Sequence, residues 1–146
     1  MPSTPFDDLL KNAIFVRDNI LNETDRIIEA NKEVILDLNR EDQLFKLGVD
    51  SEGLFLGYYA PFTVFEKKQK GLPYNRVTLF DKGDFYRGFD FIKRPGTLTI
   101  FSRDSKSSKL QDDYSSKIFG LTKENQDRLN YEIILNGLRD FANKYL

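Results

Sequence analysis

The chain has 146 residues, 40% hydrophobic and 31% charged, with thirteen Phe, seven Tyr and a formal net charge of −1. This is the size and composition of one globular domain with a core of its own, and it excludes disorder. The lack of both Cys and His excludes disulfides, thiol nucleophiles, Cys/His zinc sites and a Ser–His dyad, leaving any catalysis to carboxylates, Lys or Tyr.

The opening MPSTPFDDLL carries two acids and no basic cluster, unlike a signal peptide. No apolar run approaches the about 20 residues that cross a bilayer, so the reading is a soluble protein made in a cytoplasm. Residues 5–40 are predicted to be helical. Phe6, Leu9, Leu10, Ala13, Ile14, Ile20, Leu21, Ile27, Ile28, Val34, Ile35 and Leu38 recur mostly at spacings of three and four, the mark of one apolar stripe. Thr4 or Ser3 is the expected cap, Pro5 suits the first helical position, and Asp7 and Asp8 suit the positive end of the dipole. LNETD (21–25) is the expected weak spot. A helix this long outruns a small domain, so part of it is expected to project or pack on a neighbour.

Gln43, Phe45 and Leu47, the turn VDSEG (49–53) and Leu54–Tyr59 predict a β-hairpin, ended by Pro61. DSEG lacks the acid ladder of a calcium loop. FTVFEKKQKGLPYN reads as a loop with a basic tip at Lys67, Lys68 and Lys70. In LFDKGDFYRGFDF (79–91), Asp81 is the expected turn acceptor ahead of Gly83, and Phe85 and Phe89 suggest a helical turn before a strand. Residues 88–94 and 97–103 flank Pro95-Gly96 as a hairpin. DSKSSKLQDDYSSKIFG reads as loop with one helical turn near Tyr114. Thr122 caps a C-terminal helix with Leu129, Ile133, Ile134, Leu138, Phe141 and Tyr145 as its stripe. The sum is an α+β domain: a single unit with a helical arm (1–40), a β-rich core (41–121) and a C-terminal helix (122–146) packed on a small antiparallel sheet.

Charge divides along the chain. Residues 1–60 hold 6 Lys/Arg and 12 Asp/Glu, residues 61–121 hold 12 and 7, and residues 122–146 hold 4 and 4. Such polarity suits head-to-tail contact between copies, salt-sensitive and ring-forming. Lys67, Lys68, Lys70 and Arg76 form the basic edge that would face a partner. Together with Arg87, Lys93, Arg94 and Arg103 among Tyr74, Phe85, Tyr86 and Phe89, they also sketch a nucleic-acid surface, against which the pI of about 5.6 argues. Asp81, Asp84 and Asp90 are the acids from which a catalytic pair would come, although turn chemistry explains Asp81. No glycine pattern cradles a phosphate, and no cofactor or metal is implied.

VTLFDKGDFYRGF (77–89) resembles a recurring motif, L-x-D-T-G-x-L-x-x-S, of the tail-completion or virion-morphogenesis proteins encoded among the head–tail joining and tail genes of tailed phages. Asp81 and Gly83 match it, Lys82 replaces its Thr, and Gly88 stands near its Ser. ILDLNREDQLFKLGVDSEG (35–53), YYAPFTVFEKKQKG (58–71) and IFGLTKENQDRL (118–129) resemble phage-encoded proteins of Bacteroidetes hosts. The resemblance covers roughly residues 25 to 146. It implies a non-enzymatic structural component of a phage or prophage virion, a ring at the neck or tail contacting itself and other joining proteins, with no small-molecule substrate or membrane. In that family the motif residues are structural.

Overall fold

Thr4 opens the first helix, α1 (Pro5–Ala30), with a capping box: its hydroxyl accepts the Asp7 N–H at 3.2 Å, and the Asp7 carboxylate accepts the Thr4 N–H at 3.0 Å. Those bonds hold the Asp7 carboxyl below its usual range. Pro5 stands at the first helical position, where no N–H is needed. Ser3, the other expected cap, lies outside the described residues, which are Pro2 and residues 4–146 of this computed structural model. The expected weak spot at 21–25 stays helical. Its Thr24 hydroxyl donates to the Ile20 carbonyl at 2.8 Å, a bond the helix accommodates. The break falls instead at Asn31, whose amide donates to the Ile27 carbonyl and whose N–H is shared by the carbonyls of Ile27 and Ile28.

The chain is α+β, with a long N-terminal helix, one two-stranded antiparallel sheet and a C-terminal helix. After α1 come α2 (Lys32–Asp37), a π-helical segment Leu38–Phe45, α3 (Pro61–Gln69) and α4 (Asp84–Arg87). Then follow β1 (Phe89–Arg94), β2 (Thr97–Ser102), α5 (Ser107–Tyr114), a 3-10 turn Ser116–Ile118, α6 (Lys123–Asp127), a second π-helical segment Arg128–Leu135 and α7 (Asn136–Tyr145). The chain divides into two compact units, Met1–Lys32 with Asp127–Leu146, and Glu33–Gln126.

The first unit is a helical hairpin. α7 lies along α1, and Gly137 is what lets it approach: a Cβ there would stand 2.7 Å from the Ile27 side chain. Further along the seam, Phe15 stacks at 4.7 Å on Tyr145 and 6.3 Å on Phe141. The predicted stripe of the C-terminal helix thus has α1 as its partner.

The second unit is centred on Ile35, Leu36, Leu44, Ile118 and the rings of Phe85, Tyr86 and Phe89, all buried. Phe80 and Phe119 cover those rings in edge-on and tilted contacts of 5.1–5.7 Å, and Phe45 meets Phe80 at 5.6 Å and Tyr86 at 6.4 Å. The predicted hairpin forms with Phe89 opposite Ser102 and Arg94 opposite Thr97, and Gly96 supplies the left-handed φ of 76° that its turn needs.

Three expectations for 41–121 change. Residues 43–59 keep the expected turn but lack its strands. The Asp50 carboxylate accepts the N–H groups of Glu52 and Leu54, a single bridge joins Val49 to Phe55, and Gln43 and Phe45 are helical. FTVFEKKQK is helix α3, opened by Pro61 and closed by Gly71 (φ 68°), with the Leu72 N–H donating to Lys67 and the Gly71 N–H to Lys68. The polar stretch at 104–120 contains the two-turn α5. The segment expected to be β-rich therefore holds more helix than strand.

Its π segment carries a buried amide network. Asn39 donates to the Ile118 carbonyl and accepts the Gly120 N–H; Gln43 donates to the Gly120 carbonyl and accepts the Thr122 N–H. Asn125 donates to the Leu38 carbonyl and to Gln43 Oε1. These bonds of 2.8–3.0 Å give the extended 118–122 loop the backbone partners that a strand would otherwise supply.

Candidate functional site

Thr78 is the fixed point from which the motif loop departs. It is fully buried, its N–H donates to the Tyr59 hydroxyl at 3.0 Å, and its carbonyl accepts the Tyr86 hydroxyl at 2.5 Å. Its own hydroxyl accepts the Phe80 N–H. Burial pushes the Tyr86 phenol far up, so it remains a donor. With Thr78 clamped, Leu79 is held at a left-handed φ of 62°, which costs a non-glycine residue about 1–2 kcal/mol. Gly83 repeats the left-handed turn at φ 88° and opens α4.

This loop walls a cleft of about 280 Å³, with Tyr59, one face of α3, Lys106, Leu110 and Tyr114 around it. From α3 come Thr63, Glu66, Lys67 and Lys70, spaced three and four apart. Lys67 is only 8% exposed; its ammonium donates to the Phe80 carbonyl and stands 5.2 Å over the Tyr59 ring. Lys70 donates to Asp81 at 2.5 Å, and that bond holds the Asp81 carboxyl below its usual range and lifts the Lys70 ammonium. Burial raises the Tyr114 phenol.

Asp81 therefore is not the turn acceptor expected from its place before Gly83: its carboxylate reaches across to α3. The four cations of the expected basic edge are each engaged within the chain. Lys67 is buried, Lys68 lies 4.7 Å over the Tyr74 ring, Lys70 pairs with Asp81, and Arg76 donates to the Phe45 carbonyl and to Asn75. Three rings of the nucleic-acid constellation, Phe85, Tyr86 and Phe89, are in the core and offer no stacking face. Of the three acids, Asp81 and Asp84 share the cleft, each with its own base, Lys70 and Arg87; Asp90 stands on β1 against Arg103. A carboxylate tied to a base serves here as a latch between the loop and α3. Among the described residues no group of acids is placed to hold a metal ion.

Lys67→Met is expected to lower stability by about 1–2 kcal/mol, since the Phe80 carbonyl loses its donor. The urea midpoint measures this. An increase would mean that the buried ammonium is kept at a cost to the fold.

The other notable surface is apolar. α3 turns Phe62 and Phe65 outward, and Phe55 and Tyr58 meet edge-on at 5.1 Å with both rings exposed. On α1, Phe6 is 70% and Leu21 79% exposed, with Leu9, Leu10 and Ile14 also exposed. The sequence marked this stripe but left open what covers it.

No protein-family model matches the chain, and no curated protein or solved structure matches it either.

Proposed function

We propose that the chain is a structural subunit of a larger assembly, a minor component of the neck or tail of a tailed phage or prophage, made in the host cytoplasm and incorporated into the virion. The observation that carries the structural part is α1: of its 26 residues only Ile27 and Ile28 are buried, while an apolar stripe, interrupted at Arg17, faces outward. Helices with that pattern are completed by a partner. The phage assignment is supported by the resemblance around Asp81-Lys82-Gly83, a segment that here directs the chain rather than performing chemistry.

The charge division along the chain does not follow the two units. The acidic 33–60 and basic 61–121 stretches belong to one unit. Counted by unit, nine acids stand with seven bases in the first and fourteen with fifteen in the second. Net charge by unit thus offers a ring less electrostatic drive than the division along the chain does; a ring joined through the apolar face of α1 is expected to change little with salt, and one joined through charged patches to weaken.

The test is mass spectrometry of purified particles released from the source strain, together with electron microscopy of the purified protein. Peptides of this chain in intact particles support the reading; particles that form and infect without it overturn it.

A further inference from the structure

A lysine buried as deeply as Lys67 ordinarily meets a carboxylate. Here no acid pairs with it among the described residues. Its one hydrogen-bond acceptor is the Phe80 carbonyl, and the Tyr59 ring lies 5.2 Å from the ammonium. An ammonium has three N–H groups, so two remain for a ligand. Lys70, by contrast, is committed to Asp81, with both side chains about half exposed. Lys106 lines the same cleft and pairs with no acid among the described residues.

Four lysines and three acids line the cleft, a surplus of one positive charge. That balance suits a monoanion and disfavours a doubly charged phosphate. The described lining holds no arginine, the side chain best shaped to fork onto a phosphate. Leu79, Leu110 and the rings of Tyr59 and Tyr114 make the rest of the wall apolar, fit for a hydrocarbon body. The volume of about 280 Å³ equals that of about nine waters at about 30 Å³ each, room for one ring and a short stem. Leu79 is the residue held left-handed, and strained backbone gathers at ligand sites.

We infer that the cleft binds a small monocarboxylate with a one-ring apolar body, its carboxylate on the Lys67 ammonium and its ring against Tyr59 and Leu110. The site does not depend on the virion reading: a particle component can lack a ligand, and a protein that enters no particle can carry this one.

The test is an NMR titration of the isotope-labelled full-length protein with 3-phenylpropionate. The backbone amides of Lys67, Phe80 and Leu110 are expected to shift saturably, with a Kd of about 0.1–1 mM for a ligand this small. The neutral isostere 3-phenylpropan-1-ol and inorganic phosphate are each expected to bind about tenfold more weakly or worse, the first for want of charge and the second for want of a ring. Lys67→Met is expected to weaken binding of the carboxylate by about tenfold or more. Because that change also touches the fold, Leu110→Glu is the second variant. It sets a like charge in the half-buried wall, leaves the circular dichroism unchanged, and is expected to weaken binding as much. Phe62→Glu, on the outer face of α3, is expected to bind as the parent does. No saturable shift up to about 10 mM probe, equal binding of the alcohol or of phosphate, or full binding by either cleft variant would each overturn the inference.

Discussion

Replacing Gln43 by Met is expected to destabilise the 33–126 unit by about 3–4 kcal/mol, although it changes the side-chain volume little. Gln43 is 1% exposed, and its amide serves three partners: the Gly120 carbonyl, the Thr122 N–H and Asn125 Nδ2. Met fills the space and satisfies none of them. Each buried polar group left without a partner costs about 1–3 kcal/mol, and groups in one network share part of that cost. Urea denaturation gives the free energy. Hydrogen exchange locates it: the Thr122 amide should exchange faster than amides of the β1–β2 hairpin. A loss below about 1 kcal/mol would mean that water replaces the side chain, and the network would not be what holds the 118–122 loop.

Gly88→Ala is the second large effect, about 2–3 kcal/mol. The backbone there is ordinary, with φ near −77°, so the cost is steric. A Cβ would stand 2.6 Å from Ser102 Oγ and 2.8 Å from the Asp104 nitrogen. Neither neighbour is free to retreat. Ser102 donates to the Phe85 carbonyl at 2.8 Å and accepts the Asp104 N–H, and the Arg103 N–H donates to Gly88 itself at 2.8 Å. Overpacking against a fixed backbone is seldom relieved by small shifts. Gly96→Ala is the control: its φ is 76° with nothing within 4 Å of a Cβ, so it should cost only the about 1–2 kcal/mol of the left-handed conformation. If the two alanines cost the same, contact at residue 88 is not the cause.

What the sequence disclosed follows from how local each signal is. The Thr4 cap, the Thr122 cap and the Pro95-Gly96 hairpin are each decided within a few residues, and all formed as read. The change from helical turn to strand between Phe85 and Phe89 was equally local. α3 was legible but misread: Pro61 at its start and Gly71 at its end are standard helix boundaries, outweighed by a lysine-rich tip that suggested a loop. The π segment was harder. Its i→i+5 hydrogen bonds shift the periodicity, and Gln43, Phe45 and Leu47 alternate as a strand would. Asn136-Gly137 is ordinarily a hairpin turn, yet here it lies in a helix because Gly137 makes room for Ile27. The candidate site was least legible. Lys67 and Arg76 are indistinguishable in sequence from Lys68 and Lys70, and only their carbonyl partners at Phe80 and Phe45 make them internal ties.

The joint between the first π segment and the 118–122 loop has one more consequence. Asn39, Gln43 and Asn125 bear primary amides, which take up no proton in mild acid. The rim of the same unit carries carboxylate pairs, and at Asp81, held below its usual range by Lys70, the pair is lost as pH falls through that lowered value. Acidification therefore unfastens this unit from the outside inward, and its innermost stitching is the last to feel the change.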